Sequence, residues 1–187
     1  MVAFATSTEL GKRMQRTFTG AEATWIDGLL EDATAYLQAE IGQLIYPRQT
    51  VTFSDWPSGG WVDLPQWPVV SVSAVERNGS PVMFEERPGR IRVGSDQKVD
   101  VTFTFGYSTA PRVLESLACA LVSQQLTLNE AGLGLRIGGL SSVALDDFKI
   151  AFTNGGAESG MSLPKVTVDG LREAYGRGTV TQVDAFL

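Results

Sequence analysis

Few side chains in this sequence of 187 residues have the type and spacing that chemistry requires. Histidine is absent, which removes the commonest general base and metal ligand, and a single cysteine, Cys119, can form neither an internal disulfide nor a cysteine cage. A Ser-Lys or paired-carboxylate mechanism stays open in principle. The paired carboxylates are Glu85-Glu86 and Asp146-Asp147. Neighbours on a strand point to opposite faces, so neither pair converges on one substrate atom unless a turn bends it, and solvated turns are the default reading. A divalent cation on Asp146 and Asp147 would need oxygen ligands from elsewhere that the sequence does not nominate. Gly132, Gly134, Gly138 and Gly139 match no dinucleotide fingerprint and precede no Gly-Lys-Ser/Thr, so they read as a loop. Asn78-Gly79-Ser80 has the form of a glycosylation acceptor, but a hairpin turn explains it fully. Cys119, among apolar residues, reads as a small buried filler rather than a nucleophile. No catalytic residue, cofactor or metal is expected.

Two stretches point instead to docking. In FSDWPSGGWVDLPQWPV, Trp56, Trp61 and Trp67 fall close together among Pro57, Pro65 and Pro68. Indoles packing the rim of a sheet is one reading; an aromatic patch that docks a partner or a sugar, with Trp56 and Trp61 as its candidates, is the other. The C-terminal residues 177–187 carry Val180, Val183, Phe186 and Leu187, spaced as though to lie in a groove. They are expected to order on an adjacent subunit or partner.

The elements that would position these residues follow from length, charge and period. At roughly 150 residues per domain the chain holds about one domain with a substantial core. With 43% apolar and 19% charged residues it has ordinary globular composition. Its longest clean apolar run, Leu117 to Val122, is far short of the ~20 residues that span a bilayer, and the N-terminus has no apolar signal core. A soluble protein of the cell interior, with no membrane partner, is expected. The net charge of −6 argues against gripping nucleic acid, because phosphates are neutralised by clustered Lys and Arg.

Thr6 with Glu9 forms a capping box that opens a helix over residues 7 to 17; Thr19 with Glu22 repeats it before a longer helix over 20 to 41. There Ile26, Leu29, Leu30, Ala33, Leu37, Ile41 and Leu44 recur at helical spacing, Trp25 and Tyr36 widen the apolar face, and Gly42 offers a stop. From Pro47 to Tyr107 β-branched and aromatic residues alternate between Pro and Gly punctuation. About six short strands are expected there: 51–53, 61–64, 69–76, 81–85, 90–93 and 99–105, with Asn78-Gly79 turning a hairpin. Pro111 opens a helix over 112 to 129 in which Leu114, Leu117, Ala118, Leu121, Gln125 and Leu128 recur at helical spacing, while Val113, Cys119, Ala120 and Val122 make it apolar almost all round. A glycine loop, a hairpin from Val143 to Phe152 and a short last helix through Val168, Leu171 and Tyr175 complete the chain.

The fold expected is therefore α+β. A helical bundle, made of the N-terminal helix pair, the central apolar helix and the short C-terminal helix, carries an inserted antiparallel β module. The expected divisions are 1–46 for the N-terminal helices, 47–108 for the β module, 109–176 for the rest of the helical part and 177–187 for the tail.

The order of elements resembles a known family. Two capped helices are followed by PVVSVSAVERNGSPV, GRIRV and VDVTFTFGYSTAPRVLESLACALVSQQL, and then by a glycine-marked loop, a hairpin and a short helix ending in Tyr175. About residues 7 to 176 resemble in this the head-to-tail connector proteins (adaptor, or head-completion proteins) of long-tailed bacteriophages. The most telling part is the strand ending in Gly106-Tyr107, with Pro111 then opening an apolar helix. The resemblance implies a virion protein of the neck, assembled in the host cytoplasm, that forms a dodecameric ring under the portal protein. It further implies that the ring extends the DNA channel and seats a stopper or tail-completion protein. The β-rich stretch from Pro47 to Tyr107 is larger than in small, nearly all-helical members, and the tail departs from the usual basic ending.

An apolar helix covered on several sides would suit such a ring, one face closing the subunit and another meeting the next copy. Trp25, Tyr36, Val113, Leu117 and Ala120 are the subunit-interface candidates. Acidic walls would let DNA pass without sticking. The rival readings are another neck component (a stopper or tail terminator, expected to be mostly β), a carbohydrate-binding module using the Trp-rich sheet and, weakest, a carboxylate-dependent hydrolase.

Overall fold

A computed structural model describes residues 1–130, 142–145, 148–151 and 161–176. The protein is mixed α+β, and the sheets are antiparallel throughout. Its helices are α1 (Ser7–Met14), α2 (Gly20–Ile41), α3 (Arg112–Glu130) and α4 (Lys165–Tyr175). The strands are β1 (Gln49–Asp55), β2 (Trp61–Asp63), β3 (Val69–Arg77), β4 (Ser80–Pro81), β5 (Glu85–Arg87), β6 (Arg90–Arg92), β7 (Val99–Phe105), β8 (Ser142–Leu145) and β9 (Phe148–Ala151). The chain divides into two compact units, one gathering Ala3–Tyr36 with the stretch from Val113 to Leu163, the other Leu37–Arg112 with the stretch from Pro164.

In the first unit, Thr6 caps α1 as expected: its side chain accepts the Glu9 N–H while Glu9 reaches back to the Thr6 N–H at 2.7 Å. The helix stops at Met14, three residues before the expected end. Gln15 turns left-handed at φ 53° and the Arg16 N–H bonds back to the Gly11 carbonyl at 3.0 Å, a closure that ends the helical ladder. Gly11 is required there, since a Cβ would stand 2.6 Å from the Arg16 carbonyl oxygen. Arg13 binds Glu115 at 2.7 Å and Ser116 at 3.1 Å, fastening α1 to α3.

α2 has the expected bounds, and Ile26, Leu30 and Ala33 are fully buried. Inside it Thr34, also buried, bonds the Leu30 carbonyl and accepts the Phe4 N–H, so a buried hydroxyl is satisfied on both sides. α3 buries Leu114, Ala118, Cys119, Leu121, Val122 and Leu126 and leaves Val113, Ala120 and Thr127 exposed. The helix is therefore covered along one broad stripe, and the apolar residues outside that stripe meet solvent in the single chain.

In the second unit, α2 ends at Gly42, whose φ of +83° only glycine adopts readily. The turn carries Leu44 out of the helical period, 42% exposed, and buries Ile45, whose N–H is held by Gln38 Oε1 at 3.1 Å. The expected single β module is two sheets. β1-β7-β3-β4 form the larger, with β7 central and Phe103 and Val101 wholly buried; β2-β6-β5 form the smaller. Asn78 and Gly79, both at positive φ, turn the expected hairpin.

Its second strand is much shorter than the expected 81–85. Ser80 and Pro81 pair with Arg77 and Glu76 and the Val82 N–H adds one bond to the Val75 carbonyl at 2.9 Å, after which the chain leaves through Met83, 93% exposed, to supply β5 to the other sheet. Alternation marks which residues are extended but not which sheet they join. The two inner faces share one core: Val62, Leu64, Ile91 and Val93 with Val75, Val99, Val101, Phe103 and Phe105. Phe53 meets Phe103 edge-on at 5.5 Å.

Candidate docking surfaces

The described residues hold no group of three or more His, Cys, Asp or Glu placed to bind a metal ion. Glu85 and Glu86 are adjacent on β5 and so turn to opposite faces; Glu85 is held by Arg87, and Glu86 stands opposite Ile91. Asp146 and Asp147 lie outside the described residues, as do the glycines from Gly132 to Gly139. Cys119 is 2% exposed, and burial pushes its thiol above the ordinary thiol range, partly countered by the Arg13 charge. A pocket of about 310 Å³ runs along α1, lined from Ser7 and Thr8 in its first turn through Lys12 to Gln15, Arg16 and Thr17 beyond its end. Its Arg16 is already engaged by Glu22 and stacked on Phe18.

The interface candidates divide. Trp25 is 46% and Val113 54% exposed, and Ala120 is exposed too. Leu117 is half-buried. On α3, Val113, Leu117 and Ala120 follow at i, i+4 and i+7 and so form one stripe, beside the buried stripe through Leu114, Ala118 and Leu121. Tyr36 is half-buried, and its hydroxyl oxygen accepts the Leu163 N–H at 3.1 Å, which gives it a role inside the chain.

The three tryptophans differ in exposure and in what they touch. Trp56, just past β1, is 66% exposed. Trp61, on β2, is half-buried with the Arg90 guanidinium 4.4 Å and that of Arg92 5.8 Å from its ring centroid. The β2–β6 register explains this: Arg92 stands opposite Trp61 and Arg90 opposite Asp63, so all four residues share one face. Trp67 packs against Gly89 so closely that a Cβ there would fall 2.2 Å from its ring, and its N–H is held by Gln43 Oε1. Trp61 and Trp67 thus pack much as rim indoles would, whereas Trp56 presents an open ring. Val180, Val183, Phe186 and Leu187 lie outside the described residues.

Sequence reasoning did not single out Met83, Val166 at 77% exposure, or the Arg90 and Arg92 pair over Trp61. The alternation in Gly-Arg-Ile-Arg-Val puts both arginines on one face, and only the strand pairing reveals that Trp61 is on it. No described helix is long and apolar enough to cross a membrane. Compared with known proteins, the chain matches no family model and no curated protein.

Proposed function

We propose that the protein is a structural virion component, a head-to-tail adaptor that assembles into a ring under the portal, extends the DNA channel and seats the stopper or tail. The observation that carries this reading is the partly uncovered apolar stripe on α3, with Val113 and Ala120 exposed and Leu117 half-buried between them, together with exposed Trp25 on α2. Exposed apolar side chains at helical spacing on a helix whose other stripe is buried suit a second helix or a second copy. A specific interface takes about 800 Å² from each partner, so this stripe would be its centre and polar residues its rim.

In this reading the four helices form the bundle around α3, which copies of the chain share, and the β sheets are the elaboration that meets the neighbouring neck component. The ring, a dodecamer by the resemblance, contains no reactive centre. A net charge of −6 suits a conduit that must not hold DNA. A stopper or tail terminator, expected to be mostly β, is disfavoured by the long helices α2 and α3. A second reading, carbohydrate binding, draws on Trp56, whose open indole is the kind of platform on which a sugar stacks.

Electron micrographs of the purified chain, alone and mixed with portal rings, test the proposal. Rings on the portal are expected; solitary particles in both samples overturn it. A shift of tryptophan emission on adding glycans, lost in Trp56→Ala, would favour the second reading.

A further inference from the structure

The outer face of the smaller sheet is a patch of arginine and indole. Val62 on β2 and Ile91 on β6 are wholly buried, so their neighbours along the two strands face away from the core. Trp61 and Asp63 stand opposite Arg92 and Arg90, and across β6 Glu85 and Arg87 stand opposite the same two arginines. Arg87, Arg90 and Arg92 are all exposed. Arg90 and Arg92 lie over the Trp61 ring, while Arg87 is paired with Glu85. Stacking steadies a guanidinium and leaves its in-plane N–H donors for a carboxylate. Arginine and tryptophan are also among the residues that most often anchor contacts between proteins. Because Asp63 and Glu85 share this face with the arginines, its charges are mixed in sign. A phosphate backbone would meet repulsion there, whereas a protein surface with carboxylates set to match the arginines would not.

α2 carries such carboxylates. Glu22, Asp27, Glu31, Asp32 and Glu40 lie along it, and its sequence has no Lys or Arg. Trp25, Gly28 and Asp32 follow at i, i+3 and i+7 and so share one side of the helix, with Glu31 next to them, and all four are exposed. Gly28 keeps the middle of that side low, which lets another backbone come close. Glu31 also holds the Met1 amino group at 3.5 Å, an exposed pair that water screens.

We infer that the α2 side of one copy lies on the outer face of β2-β6-β5 of the next, with Glu31 and Asp32 of the first meeting Arg90 and Arg92 of the second. The inference rests on the adaptor reading, for which it names the two faces that meet. Since these are different faces of one chain, the contact is head to tail, the kind that closes into a ring when its rotation allows. It also explains how copies that each carry a net charge of −6 associate: the charge is unevenly placed, and the contact sets acid against arginine.

Two charge-reversed variants test it: Glu31→Lys with Asp32→Lys, and Arg90→Glu with Arg92→Glu. All four positions are exposed, so circular dichroism and the thermal midpoint are expected to stay close to those of the wild type. Assembly is followed by light scattering and sedimentation, with portal rings and without. Each variant alone sets like charges against each other and is expected to need roughly a hundredfold more protein to assemble. An equimolar mixture of the two is expected to assemble as the wild type does, because in alternating order every helix face meets a sheet face of opposite sign. The milder pair Asp32→Lys and Arg92→Glu is expected to show the same rescue more weakly, which keeps the test valid if a double variant unfolds. Wild-type assembly should weaken as salt rises. Variants that assemble separately as readily as the wild type overturn the inference and leave the adaptor reading standing. A mixture that stays unassembled overturns it too, and places the contact within one chain if the chain with all four reversals assembles. A wild type that stays monomeric with and without portal overturns both.

Discussion

Gly106 shows how much one position can decide. Its φ is +89°, a Cβ there would come within 3.0 Å of the Ile45 carbonyl oxygen, and the next residue donates its N–H to that same oxygen at 2.8 Å. Gly106→Ala is expected to cost about 1–2 kcal/mol from the left-handed backbone alone, and more from the contact, read as a lower midpoint in urea unfolding. Cys119 gives a second residue-scale prediction. Burial holds its thiol above the ordinary range, so in alkaline solution the unfolded chain loses that proton before the folded one does. Its stabilising contribution is complete below the ordinary thiol value and is lost as pH rises past it. Stability measured across that range should fall more steeply for the wild type than for Cys119→Ala, and alkylating reagents should modify the native thiol far more slowly than the denatured one. The carboxylate pair Glu85-Glu86 illustrates what residue types alone convey: adjacency leaves open whether a turn bends the two together, and it is β5, a strand rather than a turn, that points them to opposite faces.

At the scale of elements, local rules worked where a single segment holds all the interacting groups. The Thr6–Glu9 box, the bounds of α2, the Asn78-Gly79 turn and the period of β7 each depend on residues within a few positions of one another. Thr6→Ala should therefore lower stability by about 1 kcal/mol, measured by chemical denaturation, since it removes the hydroxyl that satisfies the Glu9 N–H. Local rules failed at ends and partners. α1 stops early because Gln15 enters the left-handed region, a conformation with no glycine to announce it. The strand expected over 81–85 divides because two sheets compete for it, and no pattern within five residues records the competition.

Across the whole molecule, the adaptor reading turns on the apolar side chains that the single chain leaves exposed, Val113 and Trp25 among them. The adaptor reading expects Val113→Glu to leave the thermal midpoint almost unchanged, because a side chain 54% exposed takes little part in the fold, while ring formation on the portal is abolished. Sizing by light scattering, with and without portal, checks both halves of that expectation. If the variant assembles as readily as the wild type, the α3 stripe is not the contact between copies.

By itself the sequence determined the absence of histidine chemistry, the acidic balance, the alternation of helix and sheet grammar, and the helix caps and hairpin turn. All of these arise from composition or from neighbours along the chain. Tertiary structure alone decided that the β region is two sheets sharing a core, that Arg90 and Arg92 stack over Trp61 while Trp56 stays open, and which stripe of an apolar helix is buried. Those outcomes depend on residues tens of positions apart meeting in space, where burial of apolar area selects among partners that look equivalent in one dimension.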